Sequence, residues 1–226
     1  MGENWLVIDT AGRIGRVGLV RGDAVVGTAA LDAARRHARD LTPAVGGLLD
    51  AARLKPADLT GVIVSIGPGS YTGLRVGITA AKALAYATGC ALVPVPTFLA
   101  IATRAPAEAP ELWVLADALQ GQAYVQRFRR DGLGFAPVDD LRIVPAAGHL
   151  PQAPADAWFS GPGVAVHANL LAGRRLVPEA DREPTVESLF AAGREIAPVT
   201  RPGLFALEPL YLRGSSAEEA AKKRGG

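Results

Sequence analysis

The chain has 226 residues, 49% of them hydrophobic and 20% charged, enough for one large domain or for two lobes of about 100 residues each. Its 24 basic and 22 acidic residues leave a net charge of only +2, without the concentrated basic surface of a protein that grips a nucleic-acid backbone by itself. The dense basic run, Lys222 to Arg224, follows acidic Glu218 and Glu219 and reads as a solvated terminus. Apolar stretches break well short of the ~18 residues that a membrane span needs. Residues Met1 to Trp5 lack the basic-then-apolar pattern of a secretory signal. The single cysteine, Cys90, excludes an internal disulfide and a cysteine-rich zinc site. A soluble, cytoplasmic protein without a membrane partner is expected.

Three short strands open the chain: Trp5 to Asp9, Arg16 to Val20, and Ala24 to Ala30, with Arg21-Gly22-Asp23 as the hairpin turn. Helical spacing runs from about Ala34 to Arg53, with Leu41, Val45, Leu48, Leu49 and Ala52 along one side. Pro43 in that run predicts a kink or a late helix start. A strand follows at 61–66, then a glycine-rich turn, an alanine-rich helix from Ile78 to Thr88, and a strand from Ala91 to Val95. After a proline-bounded linker at 105–110, Leu112 to Asp117 and Gln122 to Phe128 repeat the opening plan about 108 residues later. In both places an apolar strand ends in aspartate and is followed by a turn and a second strand. Further on, Ala157 to Ser160 reads as a strand, Gly161 to Gly163 as a turn, and Val166 to Ala172 as a helix. Thr185 to Ile196 reads as a helix with Thr185 as N-cap.

The most informative stretch is residues 67–77, Gly-Pro-Gly-Ser-Tyr-Thr-Gly-Leu-Arg-Val-Gly. A glycine turn between a buried strand and a helix leaves backbone N–H groups at a positive dipole end. Gly67, Pro68, Gly69 and Gly73 shape that turn, and Ser70 or Thr72 can cap the helix. Arg75 falls in or near the first turn, where the dipole disfavours a cation, so an acid or the turn's own carbonyls should hold it. Any strand-to-helix turn can carry Gly-Pro-Gly, but eleven residues in this order are far more specific.

The run resembles the signature of the TsaB (YeaZ) family, bacterial proteins of threonylcarbamoyladenosine synthesis on tRNA. Trp5 to Thr10 is similar to that family's opening strand and Asp-Thr turn, Arg36-His37 with Leu41-Thr42-Pro43 to its first helix, and Glu208 to Arg213 to its C-terminal ending. The resemblance is thin between about 130 and 205. It implies a two-lobed α/β fold of the actin/Hsp70/sugar-kinase kind, with duplicated mixed sheets. The lobes would comprise residues 1–104, with the glycine loop and dimerisation helices, and 105–226, with a mobile tail from about 217. In nucleotide-binding members of this fold, aspartate hairpins from both lobes hold metal and phosphates and a second-lobe glycine loop holds adenosine. Here Asp9, Thr10, Asp117, Gly161 and Gly163 would be the remains of that site, with Pro162 removing a donor.

Catalysis is not expected. The related TsaD carries a pair of metal-ligating histidines that would fall near Thr97 and Ile101, and residues 91–105 contain no histidine. His37, His149 and His167 stand apart, without partners at metal-ligand spacing. The resemblance therefore implies a non-catalytic scaffold that binds TsaD as a heterodimer, with TsaE as a further partner and a homodimer when alone. That assembly would transfer a threonylcarbamoyl group to the adenosine beside the anticodon of ANN-reading tRNAs. ATP and metal would sit on the partner subunits, none would be bound tightly by this chain, and tRNA would be met only through the complex. Small residues on the two first-lobe helices suit a helix-on-helix interface. Leu41, Val45, Leu48 and Leu49, with Val76, Ala80 and Ala83, are the candidate interface. The competing reading of the same fold is an autonomous ATPase or phosphotransferase that uses Asp9 and Asp117. A glycoprotein endopeptidase lacks any suitable histidine pair or serine-centred constellation.

Overall fold

The computed structural model describes residues 2–31, 37–132 and 134–212, with the side chains of residues 37 and 38 outside that description. Arg36, the side chain of His37, Arg213 and the tail to Gly226, all invoked above, therefore lie outside the described residues.

Strands β1 (Asn4–Asp9), β2 (Gly15–Arg21) and β3 (Ala24–Leu31) form an antiparallel meander. The turn at Gly22 takes a left-handed φ of 60°, the conformation a tight hairpin demands of glycine. Helix α1 (His37–Ala51) runs through Pro43 without interruption. It leads to β4 (Gly61–Ser65), α2 (Tyr71–Thr88) and β5 (Ala91–Val95). Strands β4 and β5 join parallel to β1, so the first sheet has the order β3-β2-β1-β4-β5. Buried on both faces, β4 is apolar at nearly every position. Helix α2 begins at Tyr71, seven residues before the alanine-rich run at Ile78. Ser70 caps it, its Oγ accepting from the Gly73 N–H at 3.2 Å.

After α3 (Thr97–Ala102) the plan repeats. Strands β6 (Glu111–Asp117) and β7 (Gln122–Asp131) are antiparallel, and β8 (Gly134–Pro137) and β9 (Arg142–Pro145) both pair with β7. Strands β10 (Trp158–Ser160) and β11 (Arg175–Leu176) add parallel to β6, giving β11-β10-β6-β7-β8. The counterpart of β3 is thus split in two. Asp139 stitches the break, accepting from the Arg127 backbone N–H at 2.9 Å, from Arg127 Nε at 2.7 Å and from Arg142 at 2.9 Å. No periodicity announces these two short strands, and the sequence reading passed over them, as it did the short helix α4 (Ala146–His149). The helix read over Val166 to Ala172 is a one-turn α5 (Gly163–Val166) and a separate 3-10 turn at Ala168–Leu171.

The end of the described chain does not stay with the second sheet. Helix α6 (Val186–Arg194) is capped by Thr185, whose Oγ1 accepts from the Ser188 N–H at 3.2 Å while Ser188 Oγ accepts from the Thr185 N–H at 2.8 Å. Its Val186, Leu189, Phe190 and Ala192 pack against Val7, Val20, Ile63 and Val93 of the first sheet. Helix α7 (Gly203–Ala206) lies against α2, where Lys82 Nζ donates to the carbonyls of Phe205 and Leu207 at 3.2 and 3.0 Å. Assigning everything after residue 104 to the second lobe therefore fails for α6 and α7. Burial of the α6 apolar face against the otherwise open side of the first sheet is the reason.

Candidate functional site between the lobes

The two aspartates at the ends of the matched strands β1 and β6 differ sharply. Asp9 is 1% exposed. Its Oδ1 accepts from Ser65 Oγ at 2.7 Å and from the Ala11 N–H at 3.0 Å, while Oδ2 has no partner. Burial pushes its carboxyl above the usual carboxylate range, against the lowering effect of those two hydrogen bonds. Asp117 is exposed and its Oδ1 accepts from the Leu119 N–H at 2.8 Å, closing an Asx turn. One acid is thus a buried strut and the other a turn-former.

The glycine loop uses its own donors. The Gly67 N–H donates to Thr97 Oγ1 at 3.1 Å, Ser70 N–H to the Ala11 carbonyl at 2.7 Å and Gly73 N–H to Ser70 Oγ. Helix α2 lies so close to β1 that a Cβ on Gly69 would come within 2.5 Å of the Ala11 carbonyl oxygen, and one on Gly73 would strike the Thr10 carbonyl oxygen. Gly77 meets Thr10 Oγ1 in the same way. The second lobe repeats this: Cβ atoms on Gly161 and Gly163 would collide with the backbone of Leu115 and Ala116 in β6. These glycines are demanded by close helix–strand approach. At Gly69 and Gly73 the demand is steric and not one of left-handed φ.

Among the described residues Arg75 has neither of the partners expected of it. Its guanidinium donates to Tyr71 Oη at 3.2 Å and lies over the Tyr71 ring, 5.6 Å from the centroid, so an aromatic face takes the place of an acid. Tyr71 in turn stacks on Tyr211 at 4.7 Å, tying the glycine loop to the C-terminal segment. Leu210 continues that tie, its N–H donating to the Ile66 carbonyl at 2.8 Å. Thr72 is exposed and Pro68 lines the cleft.

Thr97 and Ile101, where the histidines of a metal site would fall, are 5% and 1% exposed; Ile101 belongs to the packed junction of the lobes and Thr97 accepts from the glycine loop. Among the described residues no cluster of three or more histidine, cysteine, aspartate or glutamate side chains could hold a metal ion. Of the candidate interface residues, Leu41, Val45 and Leu49 are buried within the first lobe's own core and Leu48 packs on it against Gly27. They are intramolecular. Val76 and Ala80 are half-buried on that core, and Ala83 is exposed. The exposed stripe of α2 runs through Thr72, Arg75, Thr79, Ala83 and Tyr86. Beside it stands Phe205 of α7, 71% exposed and edge-on to Tyr86 at 5.8 Å. The sequence reading missed both aromatic residues, because only the return of α7 to α2 brings them together.

Two lobes of one strand plan, 3-2-1-4-5, closing on a cleft at their aspartate hairpins define an α/β protein of the actin/Hsp70/sugar-kinase architecture. The family model for TsaD, tRNA N6-adenosine threonylcarbamoyltransferase, matches residues 26–197. The tRNA threonylcarbamoyladenosine biosynthesis protein TsaB of Bacillus subtilis is 28% identical over 221 residues, spanning 94% of this chain and 95% of that one. TsaB of Escherichia coli is 28% identical over 198 residues, spanning 81% and 83%. The solved structure of YeaZ from Pseudomonas aeruginosa superposes with a TM-score of 0.75 at 24% identity, covering 93% of this chain and all of that one. The chain belongs to the TsaD family, as a tRNA threonylcarbamoyladenosine biosynthesis protein of the TsaB (YeaZ) type. No helix among the described residues is long and apolar enough to cross a membrane.

Proposed function

We propose that this chain is a non-catalytic subunit that binds and organises the organism's TsaD, with TsaE as a further partner, for threonylcarbamoyl transfer to tRNA. The observation that carries this reading is the use made of the positions where a metal centre would lie. Thr97 is spent on the glycine loop through its hydroxyl, and Ile101 is spent on the core between the lobes. Three loop donors support the same reading, because the N–H groups of Gly67, Ser70 and Gly73 are spent on Thr97 Oγ1, the Ala11 carbonyl and Ser70 Oγ instead of facing a phosphate. ATP and metal then belong to the partner subunits, and tRNA reaches this chain only within the complex, in the cytoplasm.

The partner surface is the exposed stripe of α2 with the aromatic edge of α7, displaced from the leucine face of α1 that the sequence suggested. Small residues at Thr79 and Ala83 let a partner helix approach closely, and Tyr86 and Phe205 provide the anchors typical of interface hot spots. The same surface would serve the homodimer when TsaD is absent. Ala83→Glu tests this cleanly, since Ala83 is exposed and the monomer should keep its thermal midpoint. Burying that carboxylate unpaired at an interface should cost about 3–5 kcal/mol. Co-purification with TsaD should fail, and a tRNA-modification assay with each subunit omitted in turn should lose its dependence on this chain. A variant that still co-purifies and supports modification would place the contact elsewhere.

A further inference from the structure

Between the lobes lies a cavity of about 470 Å³, within the range of small-ligand sites. Its walls do not suit a phosphate chain. The hairpin N–H groups of Ala11 and Leu119 are taken by the carboxylates of Asp9 and Asp117, and the N–H groups of Gly67, Ser70 and Gly73 are taken as described above. The charged side chains on the wall, Arg13, Asp117 and Glu183, do not favour an anion, and Glu183 is already paired with Arg16 at 3.0 Å. Apolar surface predominates, its flat part supplied by the stacked rings of Tyr71 and Tyr211, while Phe98 and Ile101 of α3 lie beneath it, each 1% exposed.

The rim adds an independent observation. Leu119, at the tip of the β6–β7 hairpin, adopts a left-handed φ of 63° and is 63% exposed. Gln120 beside it, with φ at 53°, and Gly121, with φ at 74°, are the central residues of the hairpin turn closed by the Gln122 N–H on the Leu119 carbonyl, so the turn accounts for their conformation but not for that of Leu119. A branched side chain is rarely held this way, and strain of this kind concentrates at ligand clamps. No burial within the monomer rewards it. Across the cleft Leu210 and Leu212 are 40% and 44% exposed while lining the same cavity.

We propose that this cavity binds a small molecule with a flat apolar body and no phosphate chain, with Leu119 on one side and the strap Leu210–Leu212 on the other as its walls. The claim is independent of TsaD binding. Isothermal titration of the purified full chain with tryptophol, and separately with ATP and magnesium, tests it. Tryptophol should bind with a Kd below about 1 mM, at least about tenfold tighter than ATP with magnesium. Tyr211→Ala removes the stacked wall, and Leu119→Gly removes the rim side chain where glycine suits the backbone. Each should weaken tryptophol at least about fivefold with circular dichroism unchanged. Should Tyr211→Ala lose its fold, Leu119→Gly alone decides the point. No tryptophol binding, tighter binding of ATP with magnesium, or an unchanged affinity in Leu119→Gly would each overturn the proposal.

Discussion

Asp9 shows how an acid at the end of an apolar strand can be absorbed into a core. Its Oδ1 binds Ser65 and Ala11, but its Oδ2 is buried without a partner, so ionising it costs more than it does in water. The unfolded chain releases this proton near 3.8, whereas the folded chain holds it to higher pH. Between those values the native state carries the extra proton, and stability falls as pH rises through the window, after which the loss is complete. Asp9→Asn keeps an acceptor for Ser65 and Ala11 and does not titrate. Its thermal midpoint should therefore gain on wild type as pH climbs from about 3.8, then run parallel above the native value. Melting curves from pH 3 to 8 check this, and a constant difference across the range would show that Asp9 titrates as an ordinary surface acid.

Helices α1 and α2 both contain glycine, for opposite reasons. Gly47 of α1 has nothing within 4 Å of where a Cβ would be, so it only weakens its helix. Gly47→Ala should stabilise by up to about 1 kcal/mol. Gly73 of α2 sits where a Cβ would strike the Thr10 carbonyl oxygen, and a backbone atom cannot rotate away. Gly73→Ala should therefore destabilise by about 1–3 kcal/mol despite alanine's better helix propensity. Urea unfolding of the two variants gives both signs in one experiment, and stabilisation by both would mean that α2 stands farther from β1. That Ser70 or Thr72 would cap α2 and Thr185 would cap α6 was legible in the sequence, because a hydroxyl ahead of helical periodicity satisfies local donors, and the structure selects Ser70 of the first pair. That Arg75 meets a tyrosine was not, since Tyr71 is held by Tyr211, 140 positions away.

At the scale of the whole molecule, the C-terminal return of α6 and α7 makes the lobes interdependent. The apolar residues of α6 cover one face of the first sheet, and α3 joins them to the second lobe. A fragment of residues 1–104 leaves Val7, Val20, Ile63 and Val93 without that cover. It should bind a hydrophobic dye and unfold without a sharp transition, while a fragment ending at 212 should melt cooperatively like the full chain. A cooperatively melting 1–104 would show that α6 is peripheral to the first lobe.

The sequence by itself determined the order of the first seven elements, with bounds within a few residues except at the start of α2, the repetition of the strand–aspartate plan, and the family. Each rests on local signals: period-two apolar strands, hydroxyl caps and a glycine loop of fixed order. Only the tertiary structure decided which apolar faces are internal. Leu41, Val45 and Leu49 read as surplus on a helix wheel, and the sheet and α2 then take them up. It alone set Asp9 in the core and Asp117 in solvent, although both end apolar strands with the same letter. It also brought Phe205 to Tyr86 and Tyr211 to Tyr71. Burial and long-range stacking depend on where distant segments return, and local periodicity carries no record of that.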